Sequence, residues 1–191
     1  MIFKKFFNKD ADKVQYFASK FNLNPRIAEL ILSRGINTED DFNEFLNPTI
    51  LHDPFLLKGM KDLVDRVKLA KELKDKVLIF GDYDVDGVSA TAIMIKALKE
   101  FGIKADYYLP NRYIDGYGLT NAVIDKIADI YQPNLIITVD CGISCYQEVE
   151  YAKNKGIEII VTDHHEIPEI IPDTIVVNAK IEGQEYPFRE L

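Results

Sequence analysis

A chain of 191 residues, 47% hydrophobic and 28% charged, can bury one substantial core. No apolar run reaches the ~18 residues that span a bilayer, and the basic, aromatic residues 1–7 lack a signal-peptide pattern, so a cytoplasmic protein without a membrane partner is expected. The net charge of −8 argues against a protein that grips nucleic acid by charge alone: residues 1–76 carry 14 basic and 12 acidic side chains, but residues 77–191 carry 9 and 19.

The first third reads as helical. Apolar residues recur at helical spacing over residues 10–21, and Pro25 suits the first turn of a second helix through Ile27, Leu30 and Ile31. Arg34-Gly35 has the chemistry of a C-cap, and Thr38-Glu39-Asp40-Asp41 that of an N-cap with an acidic first turn. A third short helix ends near Leu46-Asn47-Pro48, a connector follows over residues 51–60, and a helix over 61–73 leads onward. His52, beside Asp53-Pro54, reads as a turn residue and not a ligand.

From Val77 the pattern becomes strand, helix, strand, helix. Strands are predicted over residues 77–80, 105–109, 135–139, 157–161 and 175–177, and helices over 88–101, 119–130 and 144–155. Near-continuous apolar strands alternating with helices define an α/β fold. A mostly parallel five-stranded sheet flanked by helices is expected over residues 77–191, preceded by a small helical region over residues 1–76. Cys141 and Cys145, the only two cysteines, have the spacing of neither a redox pair nor a zinc site and read as reduced structural thiols. The last residues, Tyr186-Pro187-Phe188-Arg189-Glu190-Leu191, read as the approach to another element, and a truncated chain is expected.

The polar motifs all follow strands. Asp82, Asp84 and Asp86 come after the first; Asn111, Arg112, Asp115, Gly116 and Gly118 after the second; Asp140 after the third; Asp163-His164-His165 after the fourth. In an open parallel sheet these positions share the edge where ligands bind. Three carboxylates at alternate positions repel one another unless a cation sits among them, and oxygen ligands with one or two imidazoles suit Mn²⁺ or Mg²⁺ better than zinc. Side chains alternate along a strand, so one histidine is expected to bind metal: His164 is preferred, with His165 beside it acting on substrate, and the reverse assignment stays open. Asp140, alone after its strand, could bridge two ions of the kind that drive phosphoryl displacement. Arg112 could clamp a phosphate or be a surface arginine. Gly116 and Gly118 could bring backbone amides to a phosphate or serve only as turn residues.

Three of these motifs, Gly81-Asp82-Tyr83-Asp84-Val85-Asp86-Gly87, Val139-Asp140-Cys141-Gly142 and Thr162-Asp163-His164-His165, resemble those of the DHH phosphoesterase superfamily. Arg34-Gly35-Ile36, Phe45-Leu46-Asn47-Pro48, residues 51–57 and residues 112–118 extend the likeness to the RecJ family of bacterial exonucleases. The resemblance implies a two-metal 5′-to-3′ exonuclease that releases mononucleotides from single-stranded DNA in repair and recombination. It implies Asp82 and Asp84 at one metal, Asp86 and His164 at the other, and Asp140 between them. The family's fourth motif, second catalytic domain and nucleic-acid-binding parts have no counterpart here, so an incomplete, weakly active enzyme is expected. The alternatives are a DHH enzyme acting on short oligonucleotides or cyclic dinucleotides, or a non-catalytic binding module. A pyrophosphatase of the superfamily would usually carry histidine where this chain has Phe80.

Overall fold

Runs of β-branched and aliphatic residues between Val77 and Val177 pair as five strands, while the charged and alanine-rich segments between them coil into helices. These elements belong to a computed structural model that describes residues 10–48, 51–116 and 118–189. Residues 1–7, Tyr117 of the glycine loop and the last two residues of the 186–191 segment lie outside the described residues. The chain forms two units, Met1–Leu51 and His52–Leu191.

Among the described residues the first unit holds three helices, α1 (Ala11–Lys20), α2 (Pro25–Ser33) and α3 (Glu39–Leu46). Asp10, Asn24 and Thr38 cap them, and Thr38 and Asp41 complete a reciprocal capping box. Phe17, Ala18, Ala28, Leu32 and Phe42 form its buried core, with the rings of Phe17 and Phe21 both against Phe42.

In the second unit a 3₁₀ turn (Pro54–Leu56) precedes α4 (Met60–Leu73), and the chain then alternates: β1 (Val77–Gly81), α5 (Val85–Phe101), β2 (Ala105–Tyr108), α6 (Asn121–Tyr131), β3 (Leu135–Val139), α7 (Tyr146–Asn154), β4 (Glu158–Thr162) and β5 (Val176–Val177). Among the described residues the sheet runs β2-β1-β3-β4-β5, and every pairing is parallel. Alternate strand residues divide between two cores. Leu78, Phe80, Ile136, Ile159 and Val161 pack with Val123, Ile124 and Ile127 of α6 and Val149 and Ala152 of α7. Val77, Ile79, Leu135, Ile137, Val139 and Ile160 pack with Leu63 and Ala70 of α4 and Leu98 of α5. Burial of this kind contributes ~25 cal/mol per Å² of apolar surface and makes the sheet a rigid platform. The α4 helix is part of that second core, and the compact units divide after Leu51.

The order 2-1-3-4-5 places the topological switch between β1 and β3, since the chain leaves β1 to one side for β2 and returns on the other for β3. A crevice therefore opens beyond the carboxyl ends of β1 and β3.

Candidate metal centre at the carboxyl edge of the sheet

Each strand end delivers its polar residues to that crevice by a different local device. After β1 the chain turns almost at once into α5, which starts at Val85, three residues earlier than its periodicity indicates. Asp82 is buried, at 5% exposure, and its carboxylate accepts from the Tyr83 amide at 2.6 Å. Asp84 is the N-cap and accepts from Gly87 N at 3.0 Å, while Asp86 sits exposed in the first helical turn. The three aspartates are thus a strand end, a cap and a helix residue, which spreads their charges instead of stacking them. Gly87 makes this possible: a Cβ there would collide with the backbone of Asp82.

After β3, Asp140 adopts φ 60°, the left-handed region that costs a non-glycine residue ~1–2 kcal/mol. Such strain persists only where the surroundings impose it, and here they do. The Asp140 amide donates to Thr162 O at 3.1 Å, Thr138 Oγ1 donates to Cys141 O at 2.8 Å, and Ile143 N donates to Asp163 Oδ2 at 2.9 Å. Burial, with the charge of Asp84 adding to it, pushes the Asp140 carboxyl above its ordinary range, while His164 and His165 pull it back.

After β4, Asp163 is the organising residue. Its side chain is 1% exposed. Oδ1 accepts from the amides of His164 and His165 at 2.7 and 3.1 Å and faces His165 Nδ1 at 2.7 Å. His164 Nε2 meets Asp140 Oδ1 at 2.9 Å. The strict alternation of a strand does not govern these two histidines, because β4 ends at Thr162. Their rings lie 4.8 Å apart, and a ligand atom from each of Asp140, His164 and His165 falls within 4.8 Å of the others. The hydrogen bond to Asp163, followed by its charge, raises the His165 pKa above 6.5 against the opposing effect of burial.

These residues fit a hard divalent cation. The group is carboxylate and imidazole, held in part by hydrogen bonds to second partners, as metal-binding histidines usually are. Neither cysteine belongs to it. Both thiols are free, and burial raises their pKa values, that of Cys145 to about 11, which suits structural roles. A cleft of about 560 Å³ opens beside the group, with Asp86, Asp140 and His164 at its polar end and Leu57, Ile93 and Met94 among its apolar wall.

The loop after β2 is built differently. Asp115 accepts from Tyr108 Oη, Asn111 N and Lys126 Nζ, and the amide from Asn111, first among these, lowers its pKa. Arg112 is exposed, with its guanidinium 5.8 Å from the centre of the Tyr83 ring, so it stands over the β1–α5 junction. Gly116 and Gly118 have φ 83° and 71° and open space around them, which makes them turn residues with accessible backbone. His52 contacts the rings of Tyr186 and Phe188. Sequence reasoning did not single out Asn178, which directly follows β5, is 1% exposed and lines the cleft. The available signal was a lone polar residue at a strand's carboxyl end.

Fold and site together define a doubly wound α/β protein with a carboxylate–imidazole edge built for a divalent cation. A model of the DHH family N-terminal domain matches residues 76–185, and the chain belongs to the DHH family. It is 38% identical over 185 residues to the single-stranded-DNA-specific exonuclease RecJ of Bacillus subtilis, covering 95% of this chain and 23% of that protein. It is 32% identical over 171 residues to RecJ of Escherichia coli, covering 88% and 29%. The fold matches a manganese-bound crystal structure of exonuclease RecJ with TM-score 0.63 and 30% identity, covering 71% of this chain and 34% of that one. It matches RecJ of Thermus thermophilus in complex with Mn²⁺ with TM-score 0.65 and 25% identity, covering 92% and 24%. The chain therefore spans between a fifth and a third of the length of these curated relatives. Among the described residues no helix is long and apolar enough to cross a membrane.

Proposed function

We propose that this chain is the metal-binding core of a phosphodiester hydrolase, a 5′-to-3′ exonuclease that releases mononucleotides from single-stranded DNA in the cytoplasm during repair and recombination. The observation that carries the reading is the convergence of Asp140, His164 and His165 within 4.8 Å, at the edge shared with Asp82, Asp84 and Asp86. The names of the Bacillus and Escherichia relatives supply the substrate. In this proposal Asp82 and Asp84 would hold one Mn²⁺ or Mg²⁺ and Asp86 and His164 the other, with Asp140 placed to serve both.

Such cations, when bound, supply Lewis-acid polarisation of the phosphodiester and neutralise charge developing in the displacement. The protein's own residues do the positioning. Arg112, exposed above Tyr83, clamps the phosphate next to the scissile bond, and the amides of Gly116 and Gly118 face the backbone of the strand. His165, with Nδ1 turned to Asp163, keeps Nε2 to hold or release a proton beside the leaving oxygen.

Two measurements test the reading. Calorimetric titration with Mn²⁺ should show binding that Asp140→Ala abolishes. A time course on 5′-phosphorylated single-stranded DNA should show mononucleotides released faster than dinucleotides are cleaved. No heat at millimolar Mn²⁺ would refute the metal site, and faster hydrolysis of dinucleotides would move the protein to the oligonucleotide-processing branch.

A further inference from the structure

The His164-His165 turn is gripped from two sides, and only one grip belongs to the DHH motif. Asp163 takes the two amides and the His165 imidazole. On the opposite side, Asn178 Nδ2 donates to the His165 carbonyl at 3.0 Å. The rest of Asn178 is used just as fully. Its Oδ1 accepts from Lys180 N at 2.8 Å, and its backbone carbonyl accepts from Gln184 Nε2 at 2.7 Å. Gln184 Oε1 in turn accepts from Lys58 N at 2.7 Å, which fastens the segment to the connector before α4. A second tie, Lys180 Nζ to Glu166 Oε1 at 2.7 Å, joins the same two segments one residue further along.

We propose that Asn178 is a positioning residue for the metal centre: its amide fixes the His165 carbonyl and so sets the direction of both imidazoles. The inference rests on the metal-binding reading above, and it extends that reading to a residue outside all the recognisable motifs. The physical reason is geometric. Off the end of β4 the turn has no ladder to hold it, so its φ and ψ are fixed only by what its N–H and C=O groups meet. Asp163 settles the N–H groups. The carbonyl, one bond from the His165 Cα, needs a donor. Asn178 is 1% exposed, so water does not replace it. Partners of this kind typically change metal affinity 10- to 100-fold when removed.

Asn178→Asp keeps the volume and the acceptor for Lys180 N but exchanges the donating amide for a carboxyl oxygen, and Asn178→Ala removes both. Gln184→Ala serves as the control, since it loosens the same segment while leaving the bond to His165 in place. The expected result is a fall in Mn²⁺ affinity of about tenfold or more for both Asn178 variants by calorimetry. In metal-free protein, the imidazole resonances of His164 and His165 should shift by NMR. Gln184→Ala should lower the melting temperature with neither change.

Wild-type Mn²⁺ affinity and unshifted resonances in folded Asn178 variants would overturn the proposal. So would effects matched by Gln184→Ala, or failure of both Asn178 variants to fold where Gln184→Ala folds, since each assigns Asn178 to the fold alone. If the wild-type chain itself binds no Mn²⁺, the metal reading fails, and the metal-free resonances still decide whether Asn178 directs the histidines.

Discussion

The ends of β4 and β2 approach the same crevice, and they are built on opposite plans. At the β4 end nearly every polar group is used: Asp163 is buried and takes four contacts, Asp140 meets His164, and Asn178 closes the turn. At the β2 end one carboxylate, Asp115, organises a loop whose arginine is exposed beside Tyr83 and whose glycines have open space around them. Ligands for a small cation must be held within fractions of an ångström, because coordination geometry is short and directional. A polymer phosphate can be met by a longer, adaptable side chain such as arginine. If the proposed function holds, the difference teaches that the tightness of each edge follows the size of what it binds.

Two glycines give the sharpest way to break this contrast. Gly87→Ala should damage the fold most, because the new Cβ meets the backbone of Asp82, which cannot swing aside. Overpacking of that kind costs about 3 kcal/mol, and urea denaturation would show it as a lowered midpoint with loss of Mn²⁺ binding. Next in size comes Asp163→Ala, which strands the amides of Ile143, His164 and His165. One buried unpaired donor costs ~1–3 kcal/mol, so about 2 kcal/mol is expected for the Ile143 amide alone. Gly116→Ala at the β2 end should be mild. Its Cβ has nothing within 4 Å and only the φ of 83° is strained, worth ~1 kcal/mol, with Mn²⁺ affinity unchanged. Equal losses from Gly87→Ala and Gly116→Ala would show that the two edges are not built differently.

Much of this was legible beforehand, and the reasons are local. The strands were found because Val77, Leu78 and Ile79, or Leu135, Ile136 and Ile137, are apolar on both faces, which only a sheet covered on both sides requires. The approach of Asp140 to His164 and His165 accords with the parallel order. The start of α5 was not legible, because Asp86 and Gly87 read as loop residues until the tight approach to Asp82 is seen. Nor was the relation of the two histidines: alternation governs a strand, and whether β4 reached His164 could not be decided from side-chain type. Asp163 was read only as part of the motif after the fourth strand, and its use as a scaffold depends on Ile143, 20 positions away. Asn178 offered no motif at all.

The smallest effect concerns protons at the rigid edge. Asp163 raises the His165 pKa above 6.5, so the folded protein binds that proton more tightly than the unfolded chain does. A raised histidine pKa adds stability that is complete below about 6.5 and is lost as pH rises through the folded value. Metal-free protein should therefore become slightly less stable as pH rises above about 6.5, and His165 is half exposed, so solvent screening keeps the change small. Asp163→Asn retains an oxygen that accepts from the two amides but removes the charge that holds the proton. Denaturation midpoints measured in chelator at several pH values should then vary less for the variant than for the parent chain across that window. Competition points the same way, since a proton on His165 repels a cation and Mn²⁺ affinity should climb with pH while stability falls. Parallel slopes in the two proteins would mean that the Asp163 carboxylate fixes the turn by its hydrogen bonds alone, with no part in the proton balance of the site.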